Sequence, residues 1–138
     1  MLIKTFYQDI MKVSDEKLLR LLSDATDIRH LAKGELLIEI GSVQTDLFFL
    51  RHGVLRGFYF DVEGKDITDC LMMKCGTPAV ACFAFGEDAT ATINIEALAD
   101  TDVFCLPIAV VKSLLDEHPD LVRVYNRLLV ESLRSHWE

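Results

Sequence analysis

Leu47-Phe48-Phe49-Leu50-Arg51-His52-Gly53-Val54-Leu55-Arg56-Gly57-Phe58-Tyr59-Phe60-Asp61-Val62-Glu63-Gly64-Lys65 reads as two strands and two corners. The strand segments are rich in aromatic and branched residues, and glycines follow them where the chain must turn, because glycine reaches positive φ without steric cost. The corner over residues 61–65 is a hairpin turn. The same punctuation runs outward: Gly34, Gly41, Gly53, Gly64, Gly76 and Gly86 cut the middle of the chain into short segments. Strands are expected over residues 36–40, 46–52, 54–60 and 66–73, and over 103–106 after the turn Asp100-Thr101-Asp102. Thr92, Asn94 and Glu96 alternate with Ile93, Ile95 and Ala97, which places a polar and an apolar face at period two. The fold class is mainly β with flanking α-helices, an antiparallel barrel or jelly roll whose interior is the natural place for a ligand.

The period changes on both sides of this β region. Ser14, Asp15 and Glu16 offer a polar N-cap and acids for a helix start, followed by an apolar face of Leu18, Leu19, Leu21 and Leu22. After Pro107, Ile108, Val111, Leu114 and Leu115 fall on one side of a helix that stops near His118-Pro119. Pro119 and Asp120 suit the first turn of a second helix running to about Trp137. Its stripe is Leu121, Val124, Tyr125, Leu128, Leu129 and Leu133. Such a stripe either packs on the barrel or meets the same helix of a second subunit, and its breadth and terminal position favour a dimer interface.

With 138 residues there is room for one core and one main site. Hydrophobic residues at 51% and charged residues at 26% fit a folded domain and exclude a disordered chain. The net charge of -8 repels phosphate backbones, so nucleic acid is not expected to bind this piece directly. No segment is long enough to span a bilayer, and Lys4, Gln8, Asp9 and Lys12 interrupt the N-terminal stretch where a secretory signal would be apolar. The expected location is cytoplasmic. Cys70, Cys75, Cys82 and Cys105 include no CxxC pair, so reduced thiols are expected rather than disulfides or structural zinc.

Lys33-Gly34-Glu35-Leu36-Leu37, Gly41, Leu47 to Leu50, His52-Gly53 and the 61–65 corner form an ordered set. With Ile95-Glu96-Ala97-Leu98 and the stretch from Val103 to His118-Pro119-Asp120, that set resembles the N-terminal effector domain of the Crp/Fnr transcription regulators. The resemblance covers roughly residues 14–138. It implies a double-stranded β-helix (jelly roll) of the cyclic-nucleotide-binding-domain type, followed by a C-terminal dimerisation helix. The implied organisation is an N-terminal segment at 1–13, the sensor jelly roll at 14–118 and the start of the long helix at 119–138. The implied partners are a small-molecule effector, a second copy of the chain, and DNA through a helix-turn-helix domain that these residues do not contain. Whether the residues are a sensor fragment or a stand-alone domain stays open.

In nucleotide-binding members of that family, a Gly-Glu pair holds the ribose and an Arg-Ser pair holds the cyclic phosphate. The matching positions here are Val80, Ala81, Ala91 and Thr92, which carry neither acid nor guanidinium. An enclosed phosphate without a charge partner loses its solvation uncompensated, so cAMP is not expected to bind by the usual residues. The candidate pocket is lined by Ala81, Cys82, Phe83, Phe85, Ala91 and Thr92 from the cassette. Arg56 and Phe58 join it from the barrel wall, Arg56 holding a carboxylate or phosphate if it points inward and being a solvated strand residue, the commoner case, if it points outward; His136 and Trp137 join from the long helix. Such a lining suits a small planar or apolar effector.

Other chemistries fit less well. An iron–sulfur cluster of the kind some relatives use needs thiolates mostly near the N-terminus, and no cysteine precedes Cys70. His52 beside the Gly53 turn reads as an exposed turn residue rather than a haem ligand. A metal-dependent cupin-type enzyme is the rival for this shape, but His-x-His is missing, and His30, His52, His118 and His136 are scattered. A stand-alone ligand-binding jelly roll is the other alternative. No catalytic residue, metal ligand or cofactor is assigned, and no enzymatic activity is expected.

Overall fold

Two antiparallel four-stranded sheets face each other, with strand orders β1-β8-β3-β6 and β2-β7-β4-β5. The strands are β1 (Asp27–Leu31), β2 (Leu36–Ile38), β3 (Asp46–His52), β4 (Leu55–Phe60), β5 (Asp66–Met72), β6 (Pro78–Ala79), β7 (Asn94–Ala97) and β8 (Thr101–Pro107). The helices are α1 (Ile3–Thr5), continued by a π-helical turn at Phe6–Ile10, then α2 (Glu16–Ala25), α3 (Ile108–Leu115) and α4 (Pro119–Trp137). In this computed structural model the described residues are 1–79 and 90–137, with the side chains at 128, 129, 131–133 and 135–137 outside that description. Among the described residues, no helix is long and apolar enough to cross a membrane.

Strands β3 and β8 are buried on both faces, which explains the unbroken apolar run at Leu47 to Leu50. Phe48, Leu50 and Val103 point into the space between the sheets, beside Leu31, Leu55, Met72, Ile95 and Ala97. Their neighbours Phe49, Phe104 and Leu106 point the other way, into a second cluster under the helices. There Phe6 stacks on Phe104 at 4.5 Å between ring centres. Burying one such ring contributes on the order of 2–3 kcal/mol.

The corners behave as glycine chemistry requires. Gly34, Gly41, Gly53, Gly64 and Gly76 all adopt positive φ. At Gly53 the reason is also space, since an added Cβ would lie 2.7 Å from the Asp100 carbonyl oxygen and against the buried Thr101 hydroxyl. Helix α2 starts where expected: the Asp15 carboxylate accepts from the Leu18 amide at 2.9 Å. The face Leu18, Leu19 and Leu22 is buried, whereas Leu21 stays partly exposed.

Four elements differ from the sequence expectation. The strand expected over 36–40 ends at Ile38, where the register with β7 shifts. Strand β1 carries four exposed residues and one buried one, so no alternation announces it; backbone pairing with β8 holds it. The two-residue β6 pairs with β3 and is too short to leave a pattern. The N-terminal segment is also ordered structure, with Phe6 and Tyr7 fully buried.

Candidate functional site

The space between the sheets is apolar. Leu31, Leu37, Ile38, Leu55, Ile95 and Val103 line it, with Cys70, Ile93 and Cys105 at its margin. Mid-strand Gly57 makes room there, because a Cβ would stand 2.8 Å from the Cys70 sulfur and 2.9 Å from Ile93 Cδ1. Burial pushes the Cys105 thiol up to about 11 and raises that of Cys70 as well, so both stay protonated and weakly reactive at neutral pH. Cys70, Cys75 and Cys105 are free thiols, half-buried rather than fully buried. Among the described residues, no three His, Cys, Asp or Glu side chains gather as a metal site would need.

Arg56 takes the outward of the two orientations open to it, though not as a solvated residue. Leu55 faces the inter-sheet core, so the next residue faces away from it. There the Arg56 guanidinium donates from Nε to Glu96 on β7 at 2.6 Å, and from Nη1 and Nη2 to both carboxylate oxygens of Asp66 on β5 at 2.8 and 2.7 Å. It also lies 4.1 Å over the Phe58 ring. Phe58 shares that outer face and meets Phe60 edge-on, 5.9 Å between ring centres. The hydrogen bond from Arg56 holds the Asp66 carboxyl below its ordinary value. Neither an inward cation nor a solvated strand residue describes Arg56; it is a cross-strand clamp, 16% exposed, whose charge is already committed.

The cassette is anchored by its described ends. On the incoming side, Pro78 and Ala79 pair with Phe49 and Phe48. On the outgoing side, Thr90 bridges Val43, the Ala91 amide donates to the Ser42 carbonyl, and Gly41 donates to Ala91. Ala91 is buried in the inter-sheet cluster, as an inner wall residue would be, and Thr92 is exposed. Val80, Ala81, Cys82, Phe83 and Phe85 lie outside the described residues, as do the side chains of His136 and Trp137. The structure therefore brings only Ala91 of the described candidates to the interior.

The interface stripe on α4 also needs correction. Leu121 and Val124 are buried in the chain's own helical cluster, with Leu114, Val111 and Phe104, so they are not free to face a second copy. Arg127 on the same helix donates to the Met11 carbonyl, tying α4 to the N-terminal segment. Tyr125 is half-buried, and the side chains of Leu128, Leu129 and Leu133 lie outside the described residues.

A second polar junction escaped sequence reasoning. Asp102 on β8 accepts from His30 Nδ1 on β1 at 2.8 Å and from Arg51 Nη1 on β3 at 2.9 Å. Arg51 Nε donates at 2.8 Å to the Met1 carbonyl. The bond to Asp102 raises the His30 pKa, and the bonds from His30 and Arg51 lower that of Asp102. Its parts are 72 and 51 residues apart in sequence, and no local motif brings them together. Their only signal was the position of each charge beside an apolar strand run.

Two facing antiparallel sheets with glycine corners, one of them capped by helices from both ends of the chain, define a double-stranded jelly roll. The chain belongs to the cyclic nucleotide-binding domain family, whose model matches residues 28–118, well over half of the sequence. No curated protein matches the sequence significantly. Among solved structures it is similar to the catabolite activator protein of Thermus thermophilus, with a TM-score of 0.69 and 19% identity, covering 94% of this chain and 58% of that one. A protein described as a crp/fnr-family transcriptional regulator from Eubacterium rectale gives a TM-score of 0.72 at 20% identity, covering 95% of this chain and 61% of that one. FixK2 from Bradyrhizobium japonicum gives 0.67 at 13% identity, with 80% and 54% covered. The chain thus spans little more than half the length of these proteins, and at such identities the likeness concerns the fold.

Proposed function

We propose that this chain is the effector-sensing part of a Crp/Fnr-type transcription regulator. A small planar or apolar molecule binds inside the jelly roll and favours one arrangement of the cassette and α4. That difference in affinity passes through a homodimer to DNA-binding domains carried elsewhere. The domain itself catalyses nothing in this reading. Among the described residues, no cluster of His, Cys, Asp and Glu supports the alternative of a cupin-type metal enzyme.

One observation carries the choice of ligand class. The guanidinium that could have met an anion, that of Arg56, is engaged by Glu96 and Asp66 on the far side of the sheet, and the inter-sheet lining is apolar. The positions matched to the family's acid and arginine add no charge, being Val80, Ala81, Ala91 and Thr92. One structural neighbour is described as a cAMP-binding regulatory protein, from Silicibacter pomeroyi. At the four matched positions this chain carries none of the charges such recognition uses. The test is a calorimetric titration with cAMP beside native mass spectrometry of protein purified from its source cells. No heat from cAMP and a co-purifying uncharged or aromatic molecule are expected; cAMP binding at micromolar concentration overturns the reading.

A further inference from the structure

Two sulfur atoms meet where the N-terminal segment touches the loop that leads into β6 and the cassette. Cys75 Sγ lies 3.8 Å from Met1 Sδ, and its S–H donates to the thioether. Both residues are held by their backbones. Arg51 Nε donates to the Met1 carbonyl at 2.8 Å, and Arg51 is itself fixed by Asp102 at 2.9 Å. Cys75 stands in the turn 74–77, closed by the Thr77 amide and hydroxyl on the Lys74 carbonyl at 3.1 and 2.7 Å. Gly76 beside it takes φ +91 and donates to the Leu50 carbonyl on β3. Met1 is 47% exposed and Cys75 half-buried, so the pair is open to solvent.

We propose that Cys75 and Met1 form a binding site for copper(I). A thiolate and a thioether are the donors that select this soft ion over harder ones. The thiol proton lies between the two sulfurs, so an ion that replaces it finds both donors in place. With metal–sulfur bonds of about 2.3 Å, sulfurs 3.8 Å apart give an angle of about 110° at the ion and leave a third position open. As the ion binds, the S–H bond breaks, its proton goes to water, and the thiolate electron pair makes the new metal–sulfur bond; the oxidation state of copper does not change. The charges of ion and thiolate cancel, and the thioether adds none. Zinc is not served, because a structural site takes four donors and no three His, Cys, Asp or Glu converge among the described residues. The pair lies outside the inter-sheet cluster, so it stands or falls independently of the effector reading.

The test is an anaerobic titration of the reduced full chain with copper(I) held by a chromophoric chelator, whose colour reports transfer of the ion. The chain should withdraw a single tight equivalent and release one proton as it does. Cys75→Ser should lose that equivalent, and Cys82→Ser should keep it. Met1→Leu, made behind a cleavable leader, should bind at least about tenfold more weakly, which separates a two-sulfur site from a lone thiol. Near-ultraviolet circular dichroism checks that each variant is folded; both side chains reach the surface, so the fold should hold. Retention of the tight equivalent by Cys75→Ser, its loss in Cys82→Ser, or an unchanged affinity in Met1→Leu overturns the proposal.

Discussion

Arg56 and Glu96 stand directly opposite each other on β4 and β7, joined by a 2.6 Å bond, on the face of the sheet turned away from the core. Because Arg56 also grips Asp66 on β5, one side chain staples three adjacent strands. Arg56→Ala should cost about 1–2 kcal/mol through lost hydrogen bonds and lost packing on Phe58. A double-mutant cycle with Glu96→Gln should give a coupling of about 1 kcal/mol, measured by urea unfolding. Binding inside the jelly roll should not change. If Arg56→Ala kept full stability but lost the effector, the guanidinium would belong to the pocket after all.

Gly53 and Gly57 are required for different reasons, and substitution should separate them. Gly53→Ala places a Cβ at φ +114 against Asp100 and Thr101, so strain and clash act together, at a cost of about 2–3 kcal/mol or more. Gly57→Val has no positive φ to contend with and instead overfills the space at Cys70 and Ile93, costing about 1–3 kcal/mol. Cys70→Ala should recover part of the second loss and none of the first. Thermal unfolding of the four variants decides it, and recovery of Gly53→Ala by Cys70→Ala would contradict the assignment.

The β region was legible because its signals are local. Gly53 and Gly64 mark corners, and residues 46–52 and 66–72 carry their own pattern, so β3 and β5 were placed to within a residue. What escaped lacks a local period. In the N-terminal segment Phe6 and Met11 face one core five residues apart, a π-helical spacing that a 3.6-residue pattern cannot show. Strand β1 depends on pairing with residues 101–105, far along the chain. At the site, the missing charges at Ala91 and Thr92 could be seen directly. The outward aim of Arg56 could not, because strand parity was read without knowing which face Leu55 would bury.

Asp102 and His30 give a pH dependence with two limbs. The folded His30 has a raised pKa, so its contribution is fully present below the unfolded value of about 6.5 and is lost as pH rises through the folded value. Asp102 has a lowered pKa, so its contribution is present above an unfolded value of about 3.9 and is lost as pH falls through the folded value. The melting-temperature gap between wild type and His30→Gln should therefore be largest in mild acid and close on the alkaline side. The gap to Asp102→Asn should be large at neutral pH and vanish in strong acid. A His30→Gln gap that widened with rising pH would show the pair to be misassigned.

Tyr7 governs the far alkaline limb. Its hydroxyl lies 2.6 Å from Thr26 Oγ1, and because Thr26 gives its own proton to the Leu22 carbonyl, Tyr7 is the donor. Burial pushes the Tyr7 phenol up to about 12. The unfolded chain releases this proton near pH 10, so stability must fall as pH rises from about 10 toward 12. Tyr7→Phe should cost about 1 kcal/mol at neutral pH and flatten that fall. Unchanged steepness in the variant would place the titrating group elsewhere.

Helix α4 separates folding from pairing along its own length. Leu121 and Val124 are 5% and 8% exposed inside the helical cluster, so Leu121→Asp buries a carboxylate among Leu114, Val111 and Phe104. Such a charge is costly without a partner, and the expected result is an unfolded or molten chain rather than a folded monomer. Leu128→Asp with Leu129→Asp, further along the same helix, should leave the jelly roll folded and abolish the proposed dimer. Sedimentation beside near-ultraviolet circular dichroism distinguishes the two outcomes. If the double variant sediments as an unchanged dimer, this helix does not make the contact, and a signal could not reach a partner through it. If Leu121→Asp stays folded and only dissociates, the start of α4 must leave its own core to pair, and the burial seen here would describe one of two positions.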